Sequence, residues 1–114
     1  MAESMTGMHR SHRCAEITER EIGTQVTLMG WVQKKRNKGG IIFIDLRDRT
    51  GIIQLVFEKD NIKGTGFEKA RQLRSEFIIA ITGILQWRSG AVNKKLATGT
   101  VEVQVEYMRI LAES

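Results

Sequence analysis

A cluster of cations lies near one aromatic and one amide side chain within residues 30–57. The cluster consists of Lys34, Lys35, Arg36 and Lys38. The ring of Phe43 can stack on a base, the amide of Gln54 can read a base edge, and the cations can hold phosphate groups. This combination of side chains suits a single-stranded nucleic acid.

Three predicted strands position these side chains: residues 25–35, 41–47 and 52–57. The second and third of them are rich in β-branched residues, and glycines break the chain between the strands. Because side chains alternate between the two faces of a strand, the isoleucine-rich face is expected to form the core. Phe43 and Gln54 then lie together on the outer face.

The remaining sequence predicts one helix followed by two more strands. Thr65 and Glu68 have the spacing of a capping box, which predicts a helix of about three turns after Gly66. Residues 76–87 and 100–107 then alternate as strands. The order β-β-β-α-β-β predicts an all-β protein with one helix, a five-stranded OB-fold barrel of Greek-key topology.

The second half of the predicted barrel also carries charged side chains. The loop at residues 88–99 carries Arg88, and Glu102 lies on the outward face of the last predicted strand. A solvated surface carboxylate is the alternative interpretation of Glu102. Gly30 and Gly83 lie inside predicted strands, where a glycine indicates a bulge or a sharp bend.

The whole chain has the length of one domain. Its 114 residues carry a net charge of +5, which favours an anionic partner. Residues 1–13 lack a hydrophobic period and predict a flexible N-terminal arm, followed by a domain at residues 14–114. A single cysteine excludes an internal disulfide and favours a reducing compartment, and no segment resembles a signal peptide or a membrane helix.

Motifs for metal binding and catalysis are weak in this sequence. The pattern H-x-x-H-x-C at residues 9–14 lacks further Cys or His partners, whereas a stable zinc site needs about four ligands. Asp45 and Asp48 are expected to pair with Arg47 or Arg49. The sequence therefore predicts no metal ligands and no catalytic residues.

A specific resemblance connects this chain to the N-terminal anticodon-binding domain of bacterial aspartyl-tRNA synthetases. The residues that carry it are 30–57, which read GWVQKKRNKGGIIFIDLRDRTGIIQLVF. The later segments EFIIAITG and LATGTVEV extend the resemblance over nearly the whole chain. Lysyl- and asparaginyl-tRNA synthetases share the fold and part of the pattern, but FIDLRDR with the spacing of QxVF is more similar to the aspartyl group.

The resemblance implies that six residues bind the anticodon: Arg36, Phe43, Gln54, Arg88, Asn93 and Glu102. In the implied roles, Phe43 stacks on an anticodon base and Gln54 reads the central uridine. Glu102 accepts hydrogen bonds from the first anticodon base, a guanine or its modified form.

The resemblance implies supporting roles for the remaining candidates. Arg36 contacts the third anticodon base or its phosphates, and Arg88 and Asn93 close over the anticodon loop. Many relatives have an arginine at the position of Gln86, so this strand end departs from the family pattern. The expected phosphate contacts are Lys34, Lys35 and Lys38.

The resemblance also implies a larger parent enzyme. A class II synthetase activates aspartate with ATP and Mg²⁺ in a separate catalytic domain, and 114 residues cannot contain both domains. The chain is thus expected to be a binding module without a catalytic site or cofactor. Its expected partners are the anticodon loop of tRNA(Asp) and the catalytic domain, within a cytoplasmic homodimer that does not contact a membrane.

Two other functions fit the predicted fold. A free-standing OB-fold protein could bind single strands without sequence preference, although only 6% of the residues are aromatic, and stacking carries such binding. A protein-interaction module would instead use Trp31, Phe43 and Trp87 as an apolar patch.

Overall fold

The computed structural model describes residues 3–113 of the chain. Met1 and Ala2 of the predicted arm, and Ser114 at the end of the predicted domain, lie outside the described residues. The strands are β1 (Gln25–Lys38), β2 (Ile41–Arg47), β3 (Ile52–Phe57), β4 (Ile78–Trp87) and β5 (Val101–Ala112). One α-helix, α1 (Gly66–Gln72), lies between β3 and β4, and two short 3-10 helices at Cys14–Glu16 and Glu19–Glu21 precede β1.

The five strands close into one barrel in the order β1-β2-β3-β5-β4, with β4 paired back to β1. β3 and β5 pair in parallel, and the other neighbouring strands pair antiparallel. The predicted alternation is confirmed, because Ile42, Ile44 and Leu46 are fully buried inside the barrel. The structure thus confirms the all-β class, the single helix and the predicted order of elements.

Glycines allow the close backbone contacts that closure requires. A Cβ atom on Gly30 would lie 2.3 Å from the carbonyl oxygen of Arg47, and one on Gly83 would lie 2.3 Å from that of Gln104. The pairing of β4 with β5 shifts register between Thr82 and Gly83. The expected irregularity is therefore present at Gly83, and Gly30 permits close packing of β1 against β2.

Helix α1 differs from its prediction in length and in capping. It has seven residues instead of about three turns, and the side chain of Thr65 makes no cap hydrogen bond. The capping-box prediction is wrong because Thr65 has φ −90° and ψ 13°, whereas a capping side chain requires an extended backbone.

The described part of the N-terminal arm contacts the barrel at several points. The Glu3 backbone N–H donates to the carbonyl oxygen of Ile110 at 2.6 Å, and the Glu3 carboxylate pairs with Lys69 at 2.8 Å. Further along, the backbone N–H of Ser11 donates to the carbonyl oxygen of Thr27 at 2.9 Å. These contacts fix where the arm lies, and its flexibility stays a prediction.

Asp48 joins the end of the arm to the turn between β2 and β3. One carboxylate oxygen accepts the backbone N–H of Cys14 at 2.7 Å, and the other accepts the backbone N–H and the hydroxyl of Thr50 at 2.8 and 2.6 Å. The expected pairing of Asp48 with Arg47 or Arg49 is wrong, because backbone and hydroxyl donors surround this buried carboxylate. Burial raises the pKa of Asp48, but the hydrogen bonds from Thr50 and Cys14 outweigh it, so the pKa is lowered overall.

We expect Asp48→Asn to destabilise the fold by about 1–3 kcal/mol at pH 7, because it leaves buried donors without an acceptor. Since the folded pKa of Asp48 is lowered, its contribution is present at neutral pH. It is lost as the pH falls below the ordinary value of about 3.9.

Urea unfolding at pH 7 and at low pH measures this effect, with Asp60→Asn in the exposed β3–α1 turn as the control. The difference between the original chain and Asp48→Asn should shrink on acidification. A difference that is equal at both pH values would contradict the role given to the Asp48 carboxylate.

Candidate nucleic-acid interface

The outer face of the β1–β2 pair carries the basic and aromatic candidates. β1 shifts register between Val32 and Lys34, after which Lys34 lies opposite Asp45 and Arg36 opposite Phe43. Paired residues project on the same side of a sheet, so the side chains of these four residues share the outer face. The extension of β1 to Lys38, beyond the predicted end at residue 35, places the basic cluster on a strand.

Arg36 connects β1 to β2 and β3. Its Nη2 donates to the Gln54 side-chain oxygen at 2.7 Å and lies 3.3 Å from a carboxylate oxygen of Asp45. Its guanidinium carbon lies 5.8 Å from the centroid of the Phe43 ring. Asp45 therefore pairs with Arg36, and the prediction that it pairs with Arg47 or Arg49 is wrong. One guanidinium thus orients both the aromatic ring and the amide.

Glu102 is buried on the outer side of the barrel wall. The parallel pairing of β3 with β5 puts it opposite Gln54, whose Nε2 donates to Oε1 at 2.8 Å. The antiparallel pairing with β4 puts it opposite Gln86, whose Nε2 donates to Oε2 at 2.8 Å. Ser89 also approaches Oε2 through its backbone N–H and its hydroxyl, both at 3.4 Å. Glu102 does project outward, but it is 0% exposed and is not the solvated carboxylate of the alternative interpretation.

Arg88 lies at the start of the β4–β5 loop and faces the same network. The pKa of Arg88 is lowered overall, mainly by burial and in part by the charge of Arg36. The charges of Asp45 and Glu102 act in the opposite direction and raise it. Its Nε is buried and has no hydrogen-bond partner among residues 3–113. Arg88 is thus a partly desolvated cation with a free donor.

These residues surround a cleft of about 300 Å³. Its lining consists of Arg36, Lys38, Phe43, Gln54, Arg88, Ser89, Gly90 and Ala91. Five of the predicted site residues therefore meet in one place, and Glu102 lies directly beneath them. The cleft presents an aromatic face, an amide and three cations, which is the chemistry that a base with its phosphate requires.

Besides Glu102, three predicted contacts lie outside the cleft lining. Asn93 accepts the backbone N–H of Lys95 at 3.0 Å through its side-chain oxygen, and its backbone N–H donates to Gly99. It therefore shapes the β4–β5 loop from within. Lys34 is exposed on the outer face of β1 but does not line the cleft.

Lys35 is the last of these predicted contacts. Its side chain points away from the cleft and caps helix α1. Its Nζ donates to the carbonyl oxygens of Arg71 at 2.6 Å and Leu73 at 3.2 Å, where the helix leaves carbonyl groups without partners. Burial lowers the pKa of Lys35, as do the charges of Arg71 and Arg74. The strand alternation that groups Lys34, Arg36 and Lys38 excludes Lys35 from their face.

Three residues of the network were absent from the predicted site. Asp45 and Ser89 contact predicted members directly, and Gln86 entered the sequence analysis only as a departure from the family pattern. The register of β4 with β5 would have identified Gln86 as a site residue, because Gln86 lies directly opposite Glu102.

The structure gives no metal site among the described residues. No group of three or more His, Cys, Asp or Glu side chains within residues 3–113 is placed to hold a metal ion. His12 contacts the Ser11 hydroxyl through Nδ1 at 2.7 Å, and Cys14 is buried, which raises the pKa of its thiol. Of the helices between residues 3 and 113, none has the length and apolar character needed to cross a membrane.

The barrel and its cleft define the class of protein. The chain belongs to the family described as the OB-fold nucleic acid binding domain, which matches residues 26–111. This match extends from the second residue of β1 to the next-to-last residue of β5. The OB-fold predicted from the order of elements is confirmed.

Several proteins that are similar to this chain are aminoacyl-tRNA synthetases. The chain is 59% identical to an aspartate–tRNA(Asp/Asn) ligase of Lachnoclostridium phytofermentans and 57% identical to an aspartate–tRNA ligase of Agathobacter rectalis. Each alignment covers 100% of this chain and 19% of the relative, so the chain spans about a fifth of their length. A crystal structure of the asparaginyl-tRNA synthetase from Pyrococcus horikoshii is similar, with a TM-score of 0.78 and 30% identity over 94% of this chain and 23% of that chain.

We expect Lys35→Gln to lower the free energy of unfolding by about 1–2 kcal/mol, because it removes a charged donor from two helix carbonyl groups. Lys34→Gln, one residue earlier and exposed, should change it by less than about 0.5 kcal/mol. Urea unfolding of both variants makes the comparison. Equal losses would contradict the capping role of Lys35.

Proposed function

We propose that this chain is the anticodon-binding domain of an aspartate–tRNA ligase and that it recognises the anticodon loop of tRNA(Asp). The observation that carries the proposal is the cleft, in which the Phe43 ring and the Gln54 amide lie beside cations. The identity to aspartate–tRNA ligases over the full chain supports the same function.

Phe43 supplies the stacking surface in this proposal. Its ring is half-buried and lines the cleft, so one face remains available to a base. The Arg36 guanidinium lies over the Phe43 ring and restrains it. The ring would therefore lose less conformational entropy on binding a base. Stacking on an aromatic ring accepts every base, so this contact gives affinity without selecting a sequence.

Gln54 supplies the selectivity at the central base. A glutamine side chain has two N–H donors and two acceptor lone pairs. One donor is used by Glu102 and one acceptor position by Arg36. One donor and one acceptor therefore remain, and this pair matches the N–H and carbonyl groups on the edge of uracil.

Glu102 supplies the acceptor for the first anticodon base. An ionised carboxylate only accepts hydrogen bonds, which suits the N–H groups on the edge of guanine. The contacts of Ser89 to Glu102 are longer than those of Gln54 and Gln86. We therefore expect Ser89 and the adjoining loop to move when the base enters, while the two glutamines hold the carboxylate.

The cations around the cleft would hold the phosphate backbone. Lys38, Arg36 and Arg88 line the cleft, and Lys34 lies on the same face of β1. Lys35 is not included because its ammonium group is bound to α1. Asn93 would act indirectly, by shaping the loop that closes over the RNA.

The rest of the proposed enzyme lies outside this chain. Activation of aspartate with ATP and Mg²⁺, and transfer to the tRNA 3′ end, would take place in a catalytic domain. We propose that the whole enzyme is a cytoplasmic homodimer. The name of one relative includes both tRNA(Asp) and tRNA(Asn), and the discrimination between them would depend on the anticodon contacts made by this domain.

Three variants test the proposed base contacts of Phe43, Gln54 and Glu102. Each variant is compared for binding to anticodon stem-loops that differ in single bases. Phe43→Ala should weaken every stem-loop by about 1–3 kcal/mol, because stacking is independent of sequence. Gln54→Ala should weaken the stem-loop with a central uridine and change the others little. Glu102→Lys should relax the preference at the first position and also lower the affinity for every stem-loop, because it removes the acceptor shared by Gln54 and Gln86 and buries a cation in its place.

Fluorescence anisotropy with labelled stem-loops at one fixed salt concentration measures the full matrix, and a scrambled loop is the control. Equal losses for all stem-loops with Gln54→Ala and Glu102→Lys would contradict the specificity assignment. Equal binding of the anticodon and scrambled loops by the original chain would favour a non-specific single-strand binder. No binding to either loop would favour a protein-interaction module.

A further inference from the structure

Gln104 lies in the barrel wall next to the residues of the proposed base contacts. It follows Glu102 by two residues on β5, so both side chains project from the same face of the strand. The register places Gln104 opposite Val56 of β3, and Val56 is opposite Phe43 of β2. Phe43 and Gln104 therefore belong to one row of side chains across the sheet, and Glu102 belongs to the neighbouring row on the same face.

The side-chain nitrogen of Gln104 is a buried donor without an acceptor. Among the buried side-chain nitrogen and oxygen atoms of residues 3–113, Gln104 Nε2 is one of three that have no hydrogen-bond partner. The other two are the Nε atoms of Arg36 and Arg88, and both of these arginines line the cleft. Folded proteins contain few buried donors without acceptors, because each one destabilises the fold. Three such donors around one site therefore indicate a ligand that supplies acceptors.

The contact proposed for Glu102 leaves part of a guanine base without a partner. The Watson–Crick edge of guanine carries two donor groups, at N1 and N2, and one acceptor, O6. The Glu102 carboxylate only accepts hydrogen bonds, so it can bind the two donor groups but not O6. A donor beside Glu102 is therefore needed to bind the whole edge.

The spacing on β5 allows Gln104 to supply that donor. Residues two apart on a strand are separated by about 6.8 Å, so one base can approach both Glu102 and Gln104. Neither side chain lines the cleft of the free protein. The base would therefore enter beside Ser89, whose contacts to Glu102 are long and which is expected to move with its loop.

We infer that Gln104 donates a hydrogen bond from Nε2 to O6 of the guanine at the first anticodon position, and that it selects guanine together with Glu102. The inference rests on the proposed function, because it extends the contact proposed for Glu102. The free protein then holds an unpaired donor that gains its acceptor only when guanine is bound. Adenine carries an amino group in place of O6, so a donor at Gln104 rejects adenine.

Anticodon stem-loops with a changed first base test this contact without any mutation, by fluorescence anisotropy. 6-Thioguanosine keeps both donor groups of guanine and replaces only O6, by a sulfur that accepts hydrogen bonds weakly. Its stem-loop should bind the original chain about fivefold more weakly than the guanosine stem-loop, because one hydrogen bond is lost. Inosine keeps O6 and lacks the N2 amino group, so it reports on Glu102 instead. Equal binding of the guanosine and 6-thioguanosine loops would overturn the inference.

Gln104→Leu removes the donor and keeps a side chain of similar volume. It should bind the guanosine loop about fivefold more weakly and should no longer distinguish guanosine from 6-thioguanosine. The loss of affinity on replacing guanosine with inosine should stay unchanged, because Glu102 is intact. Gln25→Leu is the matched control and should leave all three affinities unchanged, since Gln25 is exposed and lies in the same row two strands away.

Urea unfolding separates a binding role of Gln104 from a structural one. Removing an unpaired donor from a buried position should leave the unfolding midpoint of Gln104→Leu equal to that of the original chain, or higher. A lower midpoint, together with equal losses of affinity for the three loops, would make Gln104 a structural residue and overturn the inference. A preserved preference of Gln104→Leu for guanosine over 6-thioguanosine would also overturn it.

The scrambled stem-loop distinguishes failure of this inference from failure of the proposed function. Equal binding of the anticodon and scrambled loops by the original chain would contradict the proposed function, and the role of Gln104 with it. If the original chain prefers the anticodon loop but binds guanosine and 6-thioguanosine equally, only the role of Gln104 is wrong.

Discussion

The buried carboxylate of Glu102 is the constraint on which the cleft depends. Removing a carboxylate from water costs several kcal/mol unless hydrogen bonds replace those of the solvent. Here Gln54 and Gln86 each supply a donor at 2.8 Å, and Ser89 adds longer contacts. Satisfying the charge therefore fixes the amide of Gln54, and Arg36 is fixed in turn by the free oxygen of that amide.

Barrel closure is what brings these groups together. Gln54, Gln86 and Glu102 come from three strands, and each contact depends on the register of a strand pair. The register of β4 with β5 shifts at Gly83, where the backbones approach too closely for any side chain. The part of the cleft that the strands carry is thus a product of the same packing that closes the barrel, whereas Ser89, Gly90 and Ala91 belong to the β4–β5 loop.

The alternation of apolar and polar residues along each strand, together with the glycines between strands, was enough to predict the fold. Alternation identified the core faces of β2 and β3, and it placed Phe43 and Gln54 outside the barrel. The sequence analysis placed Lys35 and Arg36 in one basic cluster. Strand alternation, however, puts their side chains on opposite faces of β1. The helix that receives Lys35 is more than thirty residues away, so its two carbonyl groups could not be anticipated locally.

The features of the site that the sequence did not predict depend on long-range pairing. The burial of Glu102 requires the β3–β5 and β4–β5 registers, which no short segment encodes. Asp45 was expected to pair with Arg47 or Arg49, but the shift in β1 after Val32 places Arg36 within 3.3 Å instead. Asn93 was assigned to the RNA on the basis of resemblance, and in this structure it holds its own loop.

A double-mutant cycle tests most directly whether Glu102 unites the cleft. Gln54→Leu, Gln86→Leu and the double variant are compared for binding to the anticodon stem-loop with a central uridine, after unfolding measurements establish that each is folded. Gln54 and Gln86 share Glu102 as their acceptor, so the account predicts a coupling energy above about 0.5 kcal/mol. Strict additivity of the two single changes would show that the cleft is a set of independent contacts and would contradict the account.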